Sequence, residues 1–283
     1  MLECVPNVSE GRETRILAEL AAACGPSLLD LHRDRDHNRS VFTLAGPGPD
    51  DALTAVRDLA RAVAERLDQT EHRGVHPRLG ALDVVPFVAL GDLPAGAAIT
   101  AARDFAAWWA NAAEVPVFLY DAADPEARTL PETRRAAFSV RPPDFGPDRP
   151  HPRLGATAVG ARAPLVAVNC CLDCADVAVA RRIANAVRER DGGLPGVRAL
   201  GLELASVSRA QVSMNLVDLG RTGIEAACAA VRERAREEGH AVEAVELVGL
   251  VPAAAMQDCS TEFLRWSGID PGATIEGRLA ADR

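Results

Sequence analysis

Read for the spacing of its apolar positions, the chain divides into two runs with the same order of elements. A short apolar run at 2–5 predicts a strand, and Ile16, Leu17, Leu20 and Cys24 then recur at helical spacing, with Ser9 or Asn7 expected to cap that helix. Strands follow at 28–31 and 40–45. A Pro-Gly-Pro-Asp-Asp opening at 47–51 leads into a second helix whose stripe is Leu53, Val56, Leu59, Val63 and Leu67, and 82–90 reads as another strand. The order so far is β-α-β-β-α-β. An expected helix at 103–111, with Trp108 or Trp109 turned to the core, and a strand at 115–120 extend it. A polar, proline-rich stretch from about 121 to 153 then reads as a linker or an active-site loop.

The pattern returns after that stretch. A strand at 165–170, a helix carrying Val177, Val179, Ile183 and Val187, and strands at 199–204 and 211–217 come in turn. Thr222, with Glu225 three residues on, has the spacing of a capping box for the next helix, and 242–248 closes the run as a strand. Val212, Met214 and Leu216 alternate with Ser213 and Asn215, as a sheet with one packed and one open face requires. The expected fold is therefore α+β: two ferredoxin-like (βαββαβ) subdomains, residues 1–150 and 151–283, with antiparallel sheets facing a shared cleft.

Composition narrows what such a protein does. The 283 residues carry a net charge of −9, which argues against nonspecific nucleic-acid binding, so any anion must be met by local basic spots. No apolar run is long enough to cross a bilayer, and the first residues lack the basic start and apolar core of a secretory signal, so a cytoplasmic location is expected. The seven cysteines are odd in number and sit mostly among apolar residues, which suits reduced thiols better than disulfides. Cys170, Cys171 and Cys174 could hold zinc, but no second CxxC accompanies them and 165–171 reads as a buried strand, so no metal is expected there.

The candidate chemistry centres on a repeated hexapeptide. His-Pro-Arg-Leu-Gly-Ala occurs at 76–81 and again at 151–156, each copy offering a group that titrates near neutrality beside a fixed cation. The copies precede non-equivalent strands, so they are not simple relics of duplication, and each is expected to lend a loop to one cleft. The segment 30–39 packs three aspartates and two histidines into ten positions, but interleaved arginines and the lack of an EF-hand series weigh against metal. Asp36, Asn38 and Arg39 are expected to hold substrate or brace the cleft. Asp83 either faces the cleft to orient ligand or is tied to a neighbouring arginine; the sequence leaves both open.

Seven strings, VPNVSEGR (5–12), NRSV (38–41), HPRLGALD (76–83), PDFGP (143–147), GATAVGAR (155–162), QVSMNL (211–216) and ELVGLVP (246–252), resemble the glutamate formimidoyltransferase family, in the family's order and over nearly the whole chain. The resemblance implies a homodimeric transferase that moves a formimino group between N-formimidoyl-L-glutamate and tetrahydrofolate, the latter as co-substrate, with no resident metal. A single transferase module is expected, without the cyclodeaminase module fused to it in the animal members. By the same resemblance His76 is the catalytic histidine, and Gly155, Ala156, Thr157, Ala158, Val159, Gly160, Ala161 and Arg162 form the folate-binding segment, although a tight turn into a strand would explain those small residues as well. Arg39 or Arg78 is expected to meet the glutamate carboxylates. The animal members carry an aspartate where this chain has His32, so a carboxylate role there would pass to Asp30 or Asp36. The competing expectations are formyl transfer from 5-formyltetrahydrofolate to glutamate, a metal-dependent hydrolase using the 30–38 cluster, and a folate-binding protein without turnover.

Overall fold

The computed structural model describes residues 1–48 and 50–281, so Pro49 of the expected helix opening lies outside the described residues. The chain forms two compact units, Met1–Arg162 and the remainder from Ala163.

In the first unit β1 (Leu2–Cys4) and β2 (Asn7–Val8) lead to α1 (Thr14–Ala23), β3 (Leu28–Asp34), β4 (Arg39–Ala45), α2 (Asp51–Arg66) and β5 (Leu82–Ala89). α3 (Ala95–Ala113), β6 (Val117–Asp121), α4 (Leu130–Ala136) and β7 (Thr157–Ala161) complete it. β1 and β2 together lie between β4 and β5, with β3 outside β4, all antiparallel. Beyond β5 the sheet continues through β7 to β6, and both of these pairings are parallel. The expectation of wholly antiparallel sheets is thus corrected for this unit: α3 returns the chain so that β6 runs in the same direction as β5, and the connection through α4 does the same for β7, as helical crossovers do.

α1, α2 and α3 bury their apolar stripes together with one face of this sheet. Leu20, Leu44, Val56, Leu59, Val63, Phe87, Phe105 and Trp109 are all essentially inaccessible, each worth roughly 1.5–3 kcal/mol in burial. Trp109 donates from Nε1 to Thr157 Oγ1 (3.0 Å), which itself donates to the Leu82 carbonyl (2.7 Å). Val84, Tyr120 and Ala158 form a separate small cluster with Leu79 and Leu130, which brings the start of α4 against the strands. The helix caps differ from expectation. Ser9 donates to the Gly80 carbonyl and Asn7 to the Val5 carbonyl, while Glu10 Oε1 receives the backbone N–H groups of Arg12 and Glu13 ahead of α1.

The two hexapeptides are hydrogen-bonded to each other. Ala81 N donates to the Leu154 carbonyl (2.9 Å) and Ala156 N to the Leu79 carbonyl (3.1 Å), so the copies pair antiparallel about Gly80 and Gly155. Both glycines are required by that pairing. A Cβ on Gly80 would overlap the Ala156 and Leu154 carbonyl oxygens, and Gly155 has φ +70° with the Leu79 oxygen where its Cβ would lie. This clasp and β7 place 151–162 in the first unit, so the division falls after Arg162 rather than after residue 150.

The second unit holds β8 (Val166–Leu172), α5 (Val177–Val187), β9 (Val197–Leu204), β10 (Arg209–Leu216), α6 (Ile224–Glu237) and β11 (Val242–Val248). Its four strands are antiparallel in the order β11-β8-β10-β9, with the β-α-β-β-α-β succession read from the sequence. Val212, Met214 and Leu216 are buried with the helices, while Ser213 is half-buried and Asn215 exposed, as the alternation requires. Thr222 and Glu225 do not form a capping box: Thr222 donates to the Pro195 carbonyl, and Glu225 receives the N–H and hydroxyl of Ser260. Three short helices, α7 (Ala253–Gln257), α8 (Thr261–Ser267) and α9 (Ile275–Ala281), follow β11.

Substituting Gly80→Ala forces the clasp apart or strains it, and we expect a loss of about 1–3 kcal/mol in chemical denaturation. An unchanged denaturation midpoint would show that the two hexapeptides do not need their close backbone approach.

Candidate active site

Three elements of the first unit meet at one carboxylate. Asp83, on β5 and with 0% of its surface exposed, receives Arg39 Nη1 (2.5 Å) and Arg134 Nη2 (2.6 Å) on the same oxygen, Oδ2. Its other oxygen receives the backbone N–H of Leu79 (2.6 Å). Burial alone would raise the Asp83 pKa, but the two guanidiniums and the N–H outweigh it and hold the carboxyl at about 2. Arg39 opens β4 and also donates from Nε to Asn7 Oδ1 (3.1 Å), while Arg134 comes from α4. α4 is short but well started: Glu132 receives both the N–H (2.8 Å) and the hydroxyl (2.6 Å) of Thr129.

The loop between α2 and β5 is stapled around its own side chains. Arg78 Nη2 donates to the carbonyls of Gly74 (2.8 Å) and His76 (2.9 Å), and its Nη1 donates to His72 Nδ1. His72 Nε2 donates to the Asn38 carbonyl (2.9 Å), so His72 is neutral with its proton on Nε2. Burial, and then the Arg78 cation, lower its pKa accordingly. Asn38 sits at φ +47°, receives Gly11 N on its side-chain oxygen (2.9 Å) and donates to the Arg73 carbonyl (3.0 Å), which joins three loops at one residue. At the tip of the β3–β4 hairpin Asp34 Oδ1 receives the N–H groups of Asp36 and His37 (both 2.8 Å).

His76 is half-buried at the end of this loop, its ring centroid 5.8 Å from that of the buried His37. Its Nδ1 lies 2.8 Å from the Pro77 carbonyl oxygen. A carbonyl can only accept, so Nδ1 carries the proton and Nε2 keeps its lone pair. Desolvation and the Arg39 cation push the His76 pKa well below the ordinary imidazole value, with Asp83 opposing and Arg134 adding to the effect. The arrangement therefore holds a neutral imidazole with one basic nitrogen beside fixed cations. His151, in the second hexapeptide, has the opposite tautomer: its Nδ1 receives the N–H groups of Arg153 (3.2 Å) and Leu154 (3.0 Å) and closes a turn.

The cations form a local basic spot in a chain of net charge −9. Arg12, Arg39, Arg78 and Arg134 are close enough to affect one another's or their neighbours' protonation; burial and then neighbouring charges shift the Arg78 pKa, with Arg134 and Arg12 lowering it. Arg39 and Arg134 are largely committed to Asp83. Arg12 is exposed and donates from Nε to the Arg35 carbonyl (2.8 Å), which leaves its outer edge toward solvent.

The sequence-predicted residues thus divide. His76, Arg39, Arg78, Asn38 and Asp83 are brought together, with Asp36 on the adjoining hairpin, where its carbonyl receives Val75 N (3.2 Å). Of the two readings left open for Asp83, the structure shows the one that ties it to arginine. Asn38 and Arg78 are occupied in building the loop. Ala156, Thr157, Ala158, Val159, Gly160 and Ala161 are buried in or beside β7, where a Cβ on Gly160 would overlap the Tyr120 ring, and only Gly155 and Arg162 at the ends are half-buried. Among the described residues, three donor groups close enough to share an ion occur at Asp173, Cys174 and His240 of the second unit and not within the 30–38 segment. Two residues escaped the sequence reading. Arg134 lay in a stretch read as loop, where Thr129-Leu-Pro-Glu132 was a legible helix start; Arg12 lay within a quoted string but carried no signal of its own.

Residues 1–162 match the family described as "Formiminotransferase domain, N-terminal subdomain", and residues 167–269 match "Formiminotransferase domain". The chain is 36% identical over 286 residues to "Glutamate formimidoyltransferase" of Streptococcus pyogenes serotype M1, covering 95% of each chain. It is 36% identical to the protein of the same name from Thermoplasma acidophilum, covering 99% of this chain and 97% of the relative. It is also 36% identical to "Formimidoyltransferase-cyclodeaminase" of Gallus gallus over 94% of this chain, which spans 52% of that relative.

Asp83→Asn leaves Arg39 and Arg134 facing a neutral amide in a buried setting, so a loss of about 3–5 kcal/mol is expected in urea denaturation at pH 7. The native Asp83 pKa lies below the unfolded value of about 3.9, so its stabilisation is complete above that value and is lost as pH falls toward 2. The stability difference between the native protein and Asp83→Asn should therefore shrink through that interval. A difference independent of pH would show that the charge on Asp83 is not what holds the three elements.

Proposed function

The chain belongs to the formiminotransferase domain family, and we propose that it is a glutamate formimidoyltransferase, exchanging a formimino group between N-formimidoyl-L-glutamate and tetrahydrofolate. The observation that carries this reading is the neutral His76, with Nε2 unprotonated, set among clustered arginines. Both substrates bring carboxylates to such a spot. Arg12, exposed beside this spot, is suited to hold those of glutamate, with Asp36 and Asn38 shaping the adjoining wall.

The chemistry needs one proton moved. N5 of tetrahydrofolate adds to the formimino carbon, giving a tetrahedral adduct with a protonated N5 that must lose its proton. The glutamate nitrogen must gain one before its bond to that carbon breaks. His76 Nε2 can take the first proton and return it to the second site, ending as it began. An ordinary, higher pKa would leave more of the imidazole protonated and unable to start, so burial and Arg39 favour the competent form. Holding both substrates together removes the bimolecular penalty.

In this proposal the folate-binding role of residues 155–162 falls to the ends of β7, Gly155 and Arg162, with the buried strand between them as support. Tetrahydrofolate is a co-substrate and no resident metal takes part. The family resemblance supports a cytoplasmic homodimer serving histidine catabolism and one-carbon metabolism. No described helix is long and apolar enough to cross a membrane.

Incubation with N-formimidoyl-L-glutamate and tetrahydrofolate should yield glutamate and 5-formiminotetrahydrofolate, followed by absorbance and mass. His76→Ala should lower kcat by about 10²–10⁴-fold with unchanged circular dichroism and melting. Turnover only with 5-formyltetrahydrofolate, or loss of activity on chelation, would replace this reading; full activity in His76→Ala would remove His76 from the chemistry.

A further inference from the structure

We propose that Arg134 is a positioning residue for His76: through the Pro77 carbonyl it anchors the imidazole, and it fixes a positive charge beside it. The inference rests on the reading of His76 as the proton carrier. Arg134 Nη1 donates to the Pro77 carbonyl oxygen at 2.7 Å, and that same oxygen receives His76 Nδ1 at 2.8 Å. One carbonyl thus joins an arginine of α4 to an imidazole 58 residues earlier in the chain (134 − 76). Arg134 Nη2 meanwhile donates to Asp83 Oδ2 (2.6 Å), whose partner oxygen holds Leu79 N (2.6 Å). The His76 loop is therefore gripped at Pro77 directly and at Leu79 by way of Asp83.

Neutralising Asp83 does not require this second arginine. Arg39 already lies against the same oxygen, so adding Arg134 leaves the trio with a net charge of +1, from one carboxylate and two guanidiniums. That surplus lies beside His76, where it opposes protonation of the ring. α4 is fixed well enough to place the charge. Its start is closed by Thr129 and Glu132, and the chain beyond it is tied down by Arg141, which is buried and donates to the Leu119 carbonyl (2.9 Å), Thr133 Oγ1 (3.2 Å) and Asp144 (2.6 Å). A planar guanidinium can span the Pro77 oxygen and the Asp83 oxygen together, which a lysine ammonium on a flexible stem does poorly.

The test compares Arg134→Met and Arg134→Lys with the native chain by circular dichroism, steady-state kinetics and ¹⁵N NMR titration of the His76 ring, assigned against His76→Gln. In Arg134→Met the titration of His76 should move to higher pH, and the acid limb of kcat/KM should move with it. Its kcat should fall about tenfold or more while KM for both substrates stays within about threefold. Arg134→Lys keeps the charge but not the two-point grip, so it should titrate near the native position and still lose kcat. An unmoved His76 titration in folded Arg134→Met overturns the proposal, whether KM rises, which makes Arg134 a substrate-binding residue, or nothing changes, which makes it a structural latch. Should Arg134→Met fail to fold, native kcat in a folded Arg134→Lys overturns it instead. If the native protein transfers nothing, the functional reading fails on its own, and the NMR titration still decides whether Arg134 governs His76.

Discussion

A carboxylate with no exposed surface has to be compensated where it stands, and the compensation of Asp83 organises the first unit's functional end. The charge can be kept only if cations and an N–H are brought to it, and they come from β4, α4 and the loop before β5. Each donor carries its own segment into place. Arg39 fixes the start of β4 and reaches Asn7; Arg134 docks α4; Leu79 N draws in the end of the loop that bears His76. An ion pair in such a setting is weak support for stability in itself, since replacing a buried ion pair by well-packed apolar residues is often neutral or stabilising. Its value here is the set of charges it leaves beside an imidazole.

The repeated hexapeptide shows how identical residues take different jobs. The two copies pair with each other through Leu79–Ala81 and Leu154–Ala156, and their glycines are the points of closest approach. Beyond that pairing their surroundings diverge. Nδ1 of His151 accepts from its own turn, and Arg153 binds the Leu67 carbonyl and pairs with Asp68, so the second copy is a strut. Nδ1 of His76 donates instead, which frees Nε2. The second copy braces the first through this pairing, and in the proposed reaction it is the first that offers the base, His76.

Local periodicity made most elements legible: the helices on Leu17/Leu20, on Val56/Leu59/Val63 and on Val179/Ile183, and the alternating strand at Val212–Leu216, stand where the pattern put them. What the pattern could not carry were partners far apart in the chain. The parallel pairing of β7 with β5 and β6 moves 151–162 into the first unit, and no feature of that segment's own spacing announces which strands flank it. Ser9, Asn7, Thr222 and Glu225 have the chemistry of caps, but each found a tertiary partner instead. His76 and Asp83 were legible from motif and strand position. Arg134 was not, because its meaning depends on a carboxylate 51 residues away.

In the proposed reaction the fold keeps His76 a neutral base at pH values where a free imidazole would be protonated. The pH dependence of kcat/KM for formimino transfer by the native protein tests it most directly, since this quantity follows ionisations of the free enzyme. An acid limb attributable to His76 should have its midpoint below the ordinary histidine value of about 6.5. A His76 limb centred at or above that value would contradict it.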